Sequence, residues 1–279
     1  MKKTIIALFA LAGLANADLV TTVYNPFSAE TAEDWEMAYL HAQGSNDNKP
    51  TINDGVFTAK SNWKRSVGNY DFADSIKLTD KKESISFSFT LSGVDKNSVG
   101  TLALEGKDAN GARALVMGET YKGTDGANNT NYAFASTAAN SGDAYLLGAG
   151  EGWGGNTYNI STSDTSYKNL GTLSASTTFV GYIEWSDSVD AFRFRLYEGS
   201  SAAADAAGDT TGTNADVYFT LGSSYELTSL TVALDGWPNV TPSFSDFTIT
   251  TKTLSVPEPT TATLSLLALA GLAARRRRK

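Results

Sequence analysis

Apolar and polar residues alternate most regularly from Ile85 to Leu91, where Ile-Ser-Phe-Ser-Phe-Thr-Leu puts Ile85, Phe87, Phe89 and Leu91 on one face and hydroxyls on the other. A period of two is the signature of a half-buried strand. The same alternation recurs at Phe179 to Trp185 and at Phe192 to Tyr197, joined by Ser186 to Asp190, which predicts an antiparallel hairpin. In its second arm Phe192, Phe194 and Leu196 alternate with Arg193, Arg195 and Tyr197, so Glu184 is expected opposite Arg193 or Arg195 as a cross-strand ion pair. Further strands are predicted at Leu19 to Tyr24, from Gly55 to Ala59, at Thr101 to Leu104 and Arg113 to Met117, around Leu230, Val232 and Leu234, and at Phe247 and Ile249. Between Thr101–Leu104 and Arg113–Met117 lies Lys107-Asp108-Ala109-Asn110-Gly111, whose Asn-Gly pair tolerates positive φ. The one soluble helix predicted spans Ser28 to Ala42, from the capping-box spacing of Thr31 and Asp34 and from Trp35 and Tyr39 four apart.

Gly123 to Asn159 turns to glycine, asparagine and alanine, and Ser200 to Gly212 has no apolar period; both read as loops or excursions. Many short alternating strands with almost no helix predict an all-β fold, an antiparallel two-sheet jelly-roll sandwich. A β-helix or propeller would need an internal repeat of fixed period, and none is found.

The two ends follow other rules. Met1-Lys2-Lys3, the apolar run Ile5 to Leu14 and Ala15-Asn16-Ala17 form a secretory signal helix with cleavage after Ala17. At the other end Val256-Pro257-Glu258-Pro259 breaks the chain, Thr260 to Ala274 is a leucine- and alanine-rich helix former, and Arg275 to Lys279 is wholly basic. That helix rises roughly 22 Å at 1.5 Å per residue, short of the roughly 30 Å hydrocarbon core. Its basic end stays cytoplasmic by the positive-inside rule, leaving the bulk of the chain outside. The expected organisation is a signal peptide at 1–17, a single β-sandwich domain at 18–255 and a sorting segment with a short transmembrane helix at 256–279.

This order of proline-glutamate-proline, short apolar helix and arginine cluster resembles the PEP-CTERM sorting signal of Gram-negative bacteria. The resemblance implies that Val256, Pro257, Glu258 and Pro259 are recognised by an exosortase, a membrane cysteine transpeptidase that releases or transfers the exported domain. Signal peptidase and exosortase are then the partners during export, with the membrane engaged through the C-terminal helix before processing. The implied location is the cell envelope, outer surface or extracellular matrix. From Ile52 to Thr250 the strand order, ending in Phe244-Ser245-Asp246-Phe247-Thr248-Ile249, looks like the concanavalin-type lectin/glucanase sandwich, at the level of pattern only.

Charge and composition narrow the function. Without the basic ends and Glu258, 15 basic and 29 acidic residues remain, about −14 in all. A nucleic acid would need a basic footprint that this body lacks. Cysteine is absent, so disulfides, thiolate metal sites and cysteine nucleophiles are excluded. Glucanases of the concanavalin type commonly carry Glu-x-Asp-x-x-Glu on one strand; the nearest acids here, Glu184 and Asp187, are three apart and so face oppositely on an extended strand. His41 is the only histidine, and no Gly-x-Ser-x-Gly accompanies it. The chain is therefore read as non-catalytic. No cofactor is called for; Asp71 with Asp74, or Asp205 with Asp209, could give oxygens to calcium, but the twelve-residue calcium loop is missing.

Aromatic rings stack on pyranose faces while Asp and Asn bond the hydroxyls. Two stretches offer both in a glycine setting: Gly150 to Asn156 with Trp153 and Asn156, and Asp235-Gly236-Trp237-Pro238-Asn239. Trp153, Asn156, Asp235, Trp237 and Asn239 are the expected ligand-binding residues, and extracellular polysaccharide the expected ligand. Trp63, Trp185 and Trp35 are weaker choices. A hydrolase drawing carboxylates from separate strands, and a purely structural surface component, are the alternatives.

Overall fold

A computed structural model describes residues 18–39, 49–59, 64–93, 99–121, 131–138, 167–171, 176–199, 217–236 and 241–255. Contacts divide the chain into Met1–Val20 with Leu254–Lys279, and Thr21–Thr253. In the first unit the Ser255 amide donates to the Asp18 carbonyl at 2.8 Å. The predicted signal helix and C-terminal sorting helix lie outside the described residues.

The strands are β1 (Leu19–Tyr24), β2 (Trp35–Tyr39), β3 (Thr51–Asn53), β4 (Val56–Thr58), β5 (Lys64–Leu78), β6 (Ser84–Ser92), β7 (Val99–Asp108), β8 (Gly111–Tyr121), β9 (Asn131–Ala138), β10 (Tyr167–Gly171), β11 (Ser176–Ser186), β12 (Ala191–Glu198), β13 (Val217–Gly222), β14 (Tyr225–Gly236) and β15 (Ser243–Leu254). Sheet A runs β13-β12-β11-β6-β15-β4-β3 with β1 paired to β15; sheet B runs β10-β9-β8-β7-β14-β5-β2. Every register given is antiparallel. Phe87, Phe89, Phe179, Phe194 and Phe244 of sheet A share one buried cluster with Leu102, Leu115, Met117, Leu230 and Val232 of sheet B. That shared core makes the body an all-β, two-sheet antiparallel sandwich.

β6 follows its sequence pattern strictly, alternating buried and half-buried from end to end. Its outward hydroxyls pair with those of both neighbours, Ser88 with Thr248 at 3.0 Å, Thr90 with Thr178 at 3.0 Å and Ser92 with Ser176 at 2.8 Å. The β11–β12 hairpin also forms as the alternation predicts, with Phe179 opposite Glu198 and Ser186 opposite Ala191. Between β7 and β8 the turn closes with Asp108 opposite Gly111, and Asp108 Oδ1 accepts the Asn110 amide at 2.7 Å. Of the Asn-Gly pair only Gly111 takes positive φ, at 124°.

The helix predicted over Ser28 to Ala42 is replaced, through its described residues, by one 3-10 turn at Ala32–Asp34 and then β2. Thr31 makes no cap: its hydroxyl turns back to the Pro26 carbonyl at 2.7 Å. Trp35 leaves the turn extended, donates its indole N–H to the same Pro26 carbonyl at 2.6 Å, and packs against Phe27, Phe57 and Tyr70. A spacing of four serves a strand as well as a helix, since positions i and i+4 share a face in both. Aromatic burial decides between them.

Candidate functional site

The outward face of sheet B carries the densest polar network among its described residues. In β7, Leu102 and Leu104 face the core while Thr101, Ala103 and Glu105 face outward; in β14, Leu230, Val232 and Leu234 face inward while Ser229, Thr231 and Ala233 face outward. β8 repeats the rule with Leu115 and Met117 against Ala114, Val116 and Gly118. The outer positions of the three central strands are thus small or polar apart from Val116, and all of those named are buried. Thr101 lies fully buried there, its hydroxyl without a hydrogen-bond partner.

Across this face runs a chain of hydrogen bonds. Asn69 Nδ2 donates to Asp71 Oδ1 at 3.1 Å, while the Thr231 hydroxyl lies 3.0 Å from Asn69 Oδ1 and 2.8 Å from Glu105 Oε1. Asp71 and Glu105 stand in one row, each opposite Ser229 from its own side. Two strand spacings set their Cα atoms roughly 10 Å apart. Glu105 is 4% exposed, whereas Asp71 is exposed. Below Glu105 the Tyr225 hydroxyl is fully buried; desolvation pushes its pKa well up, and the nearby Glu105 and Asp108 charges push the same way. Arg113 Nε holds Asp108 at 2.9 Å beside the turn.

Of the residues expected to bind ligand, Trp153, Asn156, Trp237 and Asn239 lie outside the described residues, as do Ala15, Ala17, Val256, Pro257, Glu258, Pro259, His41, Asp205 and Asp209. Asp235 is described through its backbone, in β14 opposite Arg65 and Val99. Strand register nonetheless locates where the two tryptophan stretches leave sheet B. The chain departs toward Trp153 from Ala138, which pairs with Ala114 in the row of Glu105 and Ser229. It departs toward Trp237 beyond Asp235, six residues further along β14, or roughly 20 Å at 3.3 Å per residue. The two roots are at opposite ends of the sheet. The last pair of β5 and β14 is Lys64 with Gly236, so Trp63 and Trp237 are each one residue beyond the same rung. Trp63, like Trp237, lies outside the described residues.

Other expected groups have structural partners. Trp185 donates its indole N–H to Asp187 Oδ1 at 3.0 Å, and Glu184 pairs with Arg195, which accounts for both acids of the nearest carboxylate pair in the sequence. Among the described residues no group of three or more His, Cys, Asp and Glu could hold a metal ion. Asp71 and Glu105 were not anticipated as a pair. The available signal was a glutamate at an outward position of Leu102-Ala103-Leu104-Glu105, a strand otherwise buried on both sides.

The body is thus a two-sheet sandwich with a polar network on one outer face, and the comparisons add its tail. Residues 255–279 match the family model described as the PEP-CTERM protein-sorting motif. The tail carries the sorting signal anticipated from Val256-Pro257-Glu258-Pro259, which addresses the chain to the cell surface as exosortase cargo. No curated protein matches the chain. Among solved structures it is similar to the winged bean acidic lectin complexed with methyl-alpha-D-galactose, at 12% identity over 85% of this chain and 100% of that one, with a TM-score of 0.40. It is similar to the CBM2 module of the Lactobacillus casei BL23 phage J-1 evolved Dit, at 8% identity over 85% and 99% with a TM-score of 0.42. It is also similar to an alginate lyase from Alteromonas sp. 272, at 10% identity over 81% and 97% with a TM-score of 0.38.

Proposed function

We propose that this chain is a non-catalytic glycan-recognising protein, exported through its signal peptide, processed by an exosortase near Pro257-Glu258-Pro259, and set on the outer surface or in the extracellular matrix of a Gram-negative bacterium. The observation that carries the reading is the sorting motif at residues 255–279, joined directly to a β-sandwich body. Its glycan part is supported by the sequence alone, where Asn62 adjoins Trp63, and Asp235 and Asn239 flank Trp237. Aromatic faces and amide side chains together are what a sugar ring requires. The test is a glycan array probed with the full chain and with Trp63→Ala and Trp237→Ala. Binding that drops at least tenfold in both variants supports the reading; binding indifferent to both removes the glycan assignment.

A second reading, a secreted glycoside hydrolase, is favoured by the Asp71–Asn69–Thr231–Glu105 chain, which unites two acids on one face. Inverting hydrolysis places its carboxyl groups about 6.5 to 9.5 Å apart with water between them. Reducing-sugar release from a polysaccharide panel that vanishes in Glu105→Gln would replace the non-catalytic reading with this one.

A further inference from the structure

On the outer face of sheet A, β12 holds more positive charge than the neighbouring strands neutralise. Arg193 and Arg195 are 8% and 5% exposed, and the register places Glu184 opposite Arg193 and Tyr182 opposite Arg195. The Glu184 carboxylate is taken by Arg195 Nη2, and Arg195 Nη1 donates to the Tyr197 hydroxyl at 2.8 Å. Arg193 makes no ion pair and no hydrogen bond among the described residues. Its guanidinium lies over the Tyr218 ring, 4.4 Å from the centroid, and its Nε is buried without a partner. Lys252 stands further along the same row, opposite Ser84, which is opposite Glu184. Among the described residues of these strands, three basic groups therefore share this face with one carboxylate, in a chain whose net charge is −8.

An ion withdrawn from water without a counter-charge is costly, and a ring face offsets that cost only in part. We infer that Arg193, stacked on Tyr218, is a binding site for the carboxylate of an acidic saccharide. A guanidinium presents parallel N–H donors that match a carboxylate. The surroundings suit a sugar: Tyr218 is 46% exposed on the edge strand β13, and beyond Glu184 and Tyr182 the face continues as the hydroxyls of Ser84, Ser86, Ser88, Thr248 and Thr250. A neutral sugar would leave the guanidinium unmatched. The saccharide part of this inference rests on the glycan reading above, but Arg193 and Tyr218 are not among the residues which that reading names.

The test is calorimetric titration of the full chain, in mild detergent at neutral pH and low salt, with trigalacturonate, a neutral galacto-oligosaccharide of equal length, and acetate. Trigalacturonate is expected to bind, to outcompete acetate at least tenfold, and to weaken at least tenfold in Arg193→Met, which keeps the apolar stem and removes the charge. Tyr218→Ala, at an exposed position, should weaken it several-fold without loss of the fold. Arg193→Met should melt no lower than the parent, since it removes an unmatched ion. Acetate binding as tightly as trigalacturonate would reduce the site to a simple anion site and overturn the inference. So would a large fall in melting temperature in Arg193→Met with no trigalacturonate binding to the parent, which would make Arg193 a structural group. Equal binding of trigalacturonate to parent and Arg193→Met would sink this site while leaving the glycan reading intact; silence toward all three probes would sink it as well, and the glycan array would then decide the other reading by itself.

Discussion

Glu184 lies directly opposite Arg193 across the β11–β12 hairpin, yet its carboxylate binds Arg195, two residues along the same face. Among the described residues, the diagonal pairing gives Arg195 a carboxylate and Arg193 none. Glu184→Gln would leave both arginines without a counter-charge among the described residues. Since the Arg195 side chain is 6% exposed and that of Glu184 28%, the loss should fall between the surface and buried cases, about 2–3 kcal/mol. Denaturant melts check this, and adding Arg195→Met to Glu184→Gln should recover most of the loss.

A second expectation concerns Gly181. It faces the core of sheet A opposite Phe87, and a Cβ there would collide with the Phe87 ring, which is stacked on Phe194 with centroids 6.2 Å apart. Gly181→Ala should cost about 1–3 kcal/mol through overpacking. Adding Phe87→Leu should relieve part of it, read as a partial return of the melting temperature.

Stability should fall at both extremes of pH, for different residues. Tyr225 is an acid whose pKa burial raises in the folded state, so its contribution is complete below the ordinary tyrosine value near 10 and is lost as pH climbs beyond it. Tyr225→Phe should flatten that alkaline limb at a cost of about 1 kcal/mol or less at neutral pH, since the phenol's bond to the Leu104 carbonyl is long at 3.4 Å. Glu226 behaves oppositely. The Ser75 hydroxyl, 2.6 Å away, lowers its pKa, with Lys77 helping against the opposing effect of burial. Its contribution is present above the ordinary carboxylate value near 4.3 and is lost as pH falls through the depressed one. Ser75→Ala should therefore soften the acid limb and leave the alkaline limb unchanged in pH-dependent melts.

The sorting tail predicts a change in mass. Pro257→Ala with Glu258→Ala should leave the C-terminal peptide on the protein recovered from its host, whereas the parent should have lost it. Intact-mass spectrometry distinguishes the two. Parent protein that retained Arg275 to Lys279 on every molecule would contradict processing at this motif.

How much of this was legible in the sequence depended on whether a strand had one wet face. β6 has, so Ile85, Phe87, Phe89 and Leu91 declared it, as Phe192, Phe194 and Leu196 declared β12. β5 escaped notice because register sets Ser66, Gly68 and Tyr70 at its inward positions, where an apolar run was sought. Gly68 is required there, since a Cβ would run into Phe57 and Trp35, so neighbouring aromatics from other strands fill the space. β2 reads as helix in the sequence because Trp35 and Tyr39 fit either period. For the site, the tail could be read directly because its signal is contiguous. Asp71 and Glu105 could not, being brought into one row by the β5–β14–β7 register, in which Thr228 is the extra residue against β7 and bonds the Glu105 carbonyl at 3.0 Å, while Phe72 to Ser75 are the longer side of the irregularity in β5.

The strict alternation of β6 also limits how this protein can go wrong. Sliding that strand by a single residue would turn two phenylalanines, an isoleucine and a leucine out to water and drive serines and threonine into the space between the sheets. The chain has no cysteine to lock an alignment covalently. The central strand therefore acts as its own ruler: a molecule assembled outside the reducing cytoplasm has one admissible alignment there, and reductant or oxidant leaves that choice untouched.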